Sequence, residues 1–324
     1  MTELARADRE PITTDGTIAV ANLHAQITGL AAWSRRAGAR PGTRLAVANG
    51  AVLIDLLTLH GEVLGRVADH ERAAELAGQL VGDAPEAAAA WLARARTHAT
   101  FHRFTEALDD LETARRNGLD QATVDAERAP ILHAVGCYWH ALVLCENAVK
   151  HWPGFASLSA LAVLQAERGE VAAAERLFTE ARGCYQDISP FPIASLDYRR
   201  GLMWLGQGNL PAARSWFSAA HRRVPAYAPA VRRLAEADAA LGAHQTAIGL
   251  LRPLACASDD PQYAASLARI LSAAGQHREA RQWHDRAAAR HAELVRHHPE
   301  AFAHHAADFD HDAAGPPGHL AQAS

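Results

Sequence analysis

Alanine recurs at Ala73, Ala107, Ala141, Ala174, Ala213, Ala247 and Ala280, at intervals of 34, 34, 33, 39, 34 and 33 residues. Self-similarity at a fixed period near 34 marks an array of helical hairpins. Because alanine is abundant throughout, other residues have to keep the same beat, and they do. Gly136, Gly169, Gly208, Gly242 and Gly275 each stand five residues before a ladder alanine, where a helix must stop and the chain must turn tightly. Leu111, Cys145, Phe178, Phe217 and Leu251 stand four after it, and Ala114, Ala148, Ala181, Ala220 and Ala287 seven after it. An i, i+4, i+7 set is one face of a helix. Pro85, Pro153 and Pro225 fall twelve residues after a ladder alanine, where the second helix should end.

With these residues the chain resembles the tetratricopeptide repeat family, whose unit is a 34-residue helix–turn–helix. The best matches are residues 88–121, with Trp91, Ala95, Ala107, Leu111 and Ala114, and 194–227, with Gly201, Trp204, Gly208, Ala213, Phe217, Ala220 and Pro225. Arg94 and Arg200 depart from the family by standing where an apolar residue is usual. His284 replaces an expected aromatic, and Pro130 lies inside a first helix, where it should introduce a kink. The resemblance implies an all-α fold, a right-handed α-α superhelix of about seven hairpins plus capping helices, elongated and curved, with an inner groove lined by the first helices. A single hairpin cannot bury its apolar face alone, so neighbours stack and share one continuous core.

The expected organisation is a disordered N-terminus over 1–16, a capping helix within 17–42 and a tetratricopeptide-like array over 43–294. Its units are about 54–87, 88–121, 122–154, 155–188, 194–227, 228–260 and 261–294. A C-terminal capping helix over 295–311 and a disordered tail over 312–324 complete it. The first unit pairs an overlong helix, about 43–65, with a short one, about 71–80. The 39-residue interval falls at Ile188-Ser189-Pro190-Phe191-Pro192-Ile193. Two prolines at alternate positions read there as a surface insertion, a hinge, or a loop offering Phe191 and Ile193 to a partner.

A hydrophobic content of 49% with 21% charged residues fits a folded array. The net charge of −4 gives no electrostatic footprint for nucleic acid or an anionic membrane. Residues 1–16 carry Glu3, Asp8, Glu10 and Asp15 and lack the apolar core of a secretory signal. The most apolar stretch, Leu45 to Leu64, is interrupted by Asn49, Asp55, His60 and Glu62 and reads as a buried amphipathic helix. Cys137, Cys145, Cys184 and Cys256 show no paired spacing and read as reduced residues of a cytoplasmic protein. Phosphate loops, zinc-protease motifs and nucleophile elbows are all missing from the sequence, so no catalytic residues and no cofactor are expected.

Two constellations remain. The first helices of the later repeats carry Tyr198, Arg199, Arg200, Arg232, Arg233 and Arg269, and an earlier one Arg96. Arginine offers a rigid fork of donors suited to carboxylates. This set is therefore the candidate partner-binding groove, for an extended or helical segment of another protein carrying acidic groups. Trp204 would add an aromatic contact or belong to the core. The peptide-carboxylate clamp known in similar arrays uses Lys and Asn residues that this chain does not show. Replacing Arg199, Arg232 and Arg233 together by Glu is expected to abolish binding without unfolding. The second constellation is histidine: nineteen in all, nine of them between His277 and His319. His297, His298, His304, His305, Asp308 and His311 mix imidazole and carboxylate ligands suited to Zn, Ni or Cu. The functional expectation is a non-enzymatic scaffold or adaptor. The alternative is an accessory protein for metal handling or metalloenzyme maturation, and self-association through the array is a third reading.

Overall fold

The computed structural model describes residues 10–35 and 42–303, and among them every regular element is helical. Helix α1 (Gly16–Ser34) precedes seven antiparallel hairpins. These are α2 (Arg44–Leu64) with α3 (Val67–Asp83), α4 (Ala88–Thr100) with α5 (Phe104–Arg116), α6 (Gln121–Ala134) with α7 (Tyr138–His151), and α8 (Phe155–Glu167) with α9 (Val171–Cys184). The remaining three are α10 (Phe191–Gly206) with α11 (Leu210–Arg223), α12 (Ala228–Ala240) with α13 (His244–Ala257), and α14 (Pro261–Ala273) with α15 (His277–His297). A single turn, α16 (Pro299–Phe302), follows.

The ladder alanines sit where second helices cross their neighbours, and six of the seven are fully buried at 0% exposure. A methyl group there lets the backbones approach, and anything larger would force them apart. Five turn glycines take left-handed φ values between 71° and 86°, and His102 takes the same place in the α4–α5 turn at φ 56°. The core is a chain of linked clusters rather than one mass. Leu158 and Ala162 of α8, Ala174 and Phe178 of α9, and Ile193 and Leu196 of α10 form one such cluster. Ala247 and Leu251 of α13 meet Leu267 and Leu271 of α14 in another. Each joins a hairpin to the first helix of the next, which is how stacking propagates.

Two details differ from the sequence reading. Helix α3 begins at Val67, not near Glu71, because the carboxylate of Asp259 accepts from the Val67 and Ala68 backbone N–H groups at 2.7 and 2.9 Å. The donor and acceptor are 192 residues apart, so this cap is invisible locally. Phe191, Pro192 and Ile193 form the first turn of α10 rather than a projecting loop. Proline is compatible with a first turn, where its missing N–H would be unpaired anyway. Ile193 is 0% exposed in the core, and only Ile188 projects, at 69%. Pro130 does lie inside a first helix, α6.

The array is also not an open groove. Each hairpin is rotated slightly against the last, and the accumulated curvature brings the first hairpin against the fifth, sixth and seventh. Leu59, Val63 and Leu64 at the end of α2 pack on Ala194 and Tyr198 of α10, on Tyr227 and on Ala230 of α12. Ser258 Oγ donates to the Gly65 carbonyl. Arg290 of α15 reaches the Asp259 carbonyl at 3.2 Å, His298 meets Glu71 at 3.1 Å and stacks on Phe101. Helix α2 is the one described helix long and apolar enough to cross a membrane. Here Leu53, Ile54, Leu57 and Val63 are buried at 1–3% exposure among α1, α3, α4, α10 and α12.

Candidate functional site

The candidate arginines divide into three groups. Arg232, Arg233 and Arg269, on α12 and α14, converge on one carboxylate. Arg232 Nη1 lies 3.4 Å from Glu236 Oε1, Arg233 Nη1 3.0 Å from Oε2 and Arg269 Nη2 3.2 Å from Oε1. Ser266 Oγ donates to the same Oε1 at 2.7 Å. The Nε groups of Arg232 and Arg233 are buried without an acceptor among the described residues. Glu236 thus pairs with all three cations, the buried Asp260 carboxylate also acts on Arg232, and two guanidinium donors go unsatisfied. Burial pushes the Glu236 carboxyl up, but the Arg232, Arg233 and Arg269 charges and the Ser266 hydrogen bond outweigh it and hold it ionised.

Tyr198, Tyr227 and Tyr263 form the floor beside this cluster. Tyr198 meets Tyr227 edge-on at 5.8 Å, and Tyr227 Oη donates to Glu62 of α2 at 3.1 Å. Burial raises the phenol pKa of both Tyr227 and Tyr263 far above the ordinary value, so both stay neutral. Arg199 is exposed on α10 and has no ion pair among the described residues. At the rim, Arg269 is 52% exposed, whereas Arg232 and Arg233 are only 17% and 27% exposed. The end of α2 packs on Tyr198, Tyr227 and Ala230, so the rim is open to solvent and the floor is covered.

Arg96 belongs to a different place. It bridges three successive first helices, bonding Glu127 of α6 at 2.6 Å and Asp55 of α2 at 3.0 Å. With two carboxylates on one guanidinium, it is a strut and not a free donor. Arg200 turns away from the groove: it pairs with Glu175 of α9 and lies 4.0 Å over the Trp216 ring of α11. Trp204 is with it, donating to Glu175 at 2.8 Å within the core. Adjacent residues differ by 100° around a helix, so Arg199 and Arg200 face different surroundings.

Of the histidine set, His298 is engaged with Glu71 and Phe101, and His297 lies on the last turn of α15. His304, His305, Asp308 and His311 fall outside the described residues. Elsewhere, His98 Nδ1 is 3.1 Å from Asp110, while His102 stacks on Phe104.

The sequence reading missed a further site. Arg182 at the end of α9 and Arg223 at the end of α11 flank Asp197 of α10, whose side chain is 2% exposed. Glu10 lies across both guanidiniums. Only its place in the chain hid it, since Glu10 precedes Arg223 by 213 residues.

No protein-family model and no curated protein matches the chain. Solved structures do resemble it. Human IFIT1, solved as a dimer with PPP-AAAA, superposes with a TM-score of 0.57 at 17% identity, over 74% of this chain and 58% of that one. A tetratricopeptide repeat protein from Parabacteroides merdae gives 0.52 at 14%, over 78% and 93%. A chain of the APC/C hetero-tetramer Cut9-Hcn1 gives 0.52 at 15%, over 92% and 53%. The chain spans little more than half of the IFIT1 and Cut9-Hcn1 chains it matches. At such identities the likeness is one of fold, and the fold is the tetratricopeptide-like helical-repeat solenoid.

Proposed function

We propose that this tetratricopeptide-like array is a non-enzymatic scaffold or adaptor of the cytoplasm that holds an acidic segment of another protein at the rim beside Arg199 and Arg269. The supporting observation is the sharing of Glu236 by three guanidiniums, two of whose buried Nε donors have no acceptor among the described residues. A partner carboxylate would supply a further anion, and charge-assisted pairing to arginine is among the stronger recognition contacts. Coverage of the floor by α2 moves the contact from the length of the groove to its rim.

That geometry also changes the informative variant. Reversing Arg232 or Arg233 would bury a second carboxylate beside Glu236, and an uncompensated buried charge unfolds proteins. The exposed pair Arg199→Glu and Arg269→Glu avoids this. Tagged wild type and this double variant should be used side by side to capture proteins from lysate of the native host. The expected result is a protein enriched by wild type and depleted at least ten-fold by the variant. Equal capture would remove the site from the rim, and no specific capture by either would overturn the scaffold reading.

A further inference from the structure

Residues 10–15 approach the array as a ligand would. They form no regular element, they bury no large apolar side chain (Ile12 is 86% exposed), and polar contacts hold them to the ends of α9, α10 and α11. Glu10 Oε1 and Oε2 both lie 2.7 Å from Arg182 Nη2, and Arg223 Nη2 closes on the same carboxylate. Arg223 Nη1 donates to Thr13 Oγ1 at 3.0 Å and to the Pro11 carbonyl at 3.4 Å. The Thr14 N–H donates to the Ile188 carbonyl at 2.8 Å. The two arginine side chains are 15% and 11% exposed, whereas Glu10 is 66% exposed. The receptor is therefore built into the array and the carboxylate is laid upon it.

The charge balance explains why an anion is wanted there. Asp197 is the one other acidic group in contact with the pair among the described residues. Burial pushes its carboxyl up to about 6, against the opposing charge and hydrogen bond of Arg182. Burial also lowers the Arg223 pKa, and its buried Nε has no acceptor among the described residues. Without Glu10, two largely buried cations would share a single buried acid.

We infer that Arg182 and Arg223 form a carboxylate-binding site for an extended acidic peptide, filled in this structure by the chain's own Glu10. A tethered ligand of this kind acts at an effective concentration on the order of millimolar. An acidic segment of a partner binds by displacing it, through the same two guanidiniums and the Ile188 carbonyl. The site is separate from the rim cluster and does not depend on it.

The test uses the full chain and a labelled peptide, acetyl-Glu-Pro-Ile-Thr-Thr-Asp-Gly-amide, followed by fluorescence anisotropy. A Glu10→Ala/Thr13→Ala variant loses both side-chain contacts of the strap. It should bind the peptide at least ten-fold more tightly than wild type does, and a peptide with Gln in place of its Glu should not bind. Equal affinity for wild type and variant, or no binding to a variant whose circular dichroism melt shows it folded, overturns the inference. If the double variant does not fold, the same comparison is made with Glu10→Gln, which keeps the side-chain volume and removes the charge. Arg199→Glu/Arg269→Glu leaves this binding unchanged, so failure here and failure of the rim reading are told apart.

Discussion

Arg94 stands where an apolar residue is usual, and the structure shows what replaces the lost packing. Its guanidinium binds Asp110 of α5 in two-pronged fashion at 2.8 and 2.7 Å and lies 4.5 Å over the Trp91 ring. Burial pushes the Asp110 carboxyl up, but hydrogen bonds from Arg94 and His98 and their charges outweigh it and hold it below the ordinary 3.8. A depressed carboxylate contributes stability that is present above its unfolded pKa and lost as pH falls through its folded one. The acid limb of stability, below about pH 4, should therefore flatten in Asp110→Asn. At neutral pH the same change should cost about 3 kcal/mol, since it strands Arg94. Urea melts of both proteins at pH 7 and pH 3 check this, and parallel acid limbs would refute it. Cysteine gives a second residue-scale expectation. Burial pushes the Cys145 thiol up to about 11, while Cys137, Cys184 and Cys256 are exposed. Three of the four thiols should titrate with a thiol reagent at pH 8, and the fourth only after unfolding. Fast reaction of all four in the native protein would contradict this burial.

Among the elements, α3 has its start set from a distance. Arg66 offers no side-chain cap, so the helix would fray to Glu71 if left to itself, and Asp259 extends it to Val67. Asp259→Ala should cost about 1–2 kcal/mol, the usual worth of an N-cap. It should also speed hydrogen exchange in the first turn of α3 specifically. Unchanged exchange there would mean that α3 forms without this cap. The periodic elements were legible because each hairpin repeats one pattern of small and large apolar residues. The start of α10 was not, because Pro190 and Pro192 read as chain breakers until Ile193 has a core to enter. His102 was equally opaque. It adopts φ 56° at a place where the other turns use glycine, a conformation that only the surrounding turn makes tolerable.

For the molecule as a whole, closure is the controlling fact. The α2–α3 turn docks on the α13–α14 turn at Gly65, which has φ 64° and abuts the Tyr263 ring so closely that an added Cβ would enter it. Gly65→Ala should therefore destabilise by about 2–4 kcal/mol, from backbone strain and steric conflict together. It should also open the closure, seen as a larger radius of gyration in solution scattering. An unchanged radius with lowered stability would show that the ring is held elsewhere. The candidate site follows from the same closure. Spacing along first helices placed Arg232, Arg233 and Arg269 near one another, and they do share Glu236. Which of them a partner can touch depends on α2, which comes from the other end of the chain.

By itself, the sequence determined the repeat, because a period of about 34 with small residues at crossings admits one kind of local packing, the stacked hairpin. Contacts within and between neighbouring hairpins are local, and local patterns write them. Only the tertiary structure decided that the superhelix meets itself, that α2 covers the groove, and that Glu10 lies on Arg182 and Arg223. These contacts join residues roughly two hundred positions apart. They arise from a small rotation summed over every repeat, and no single repeat records that sum.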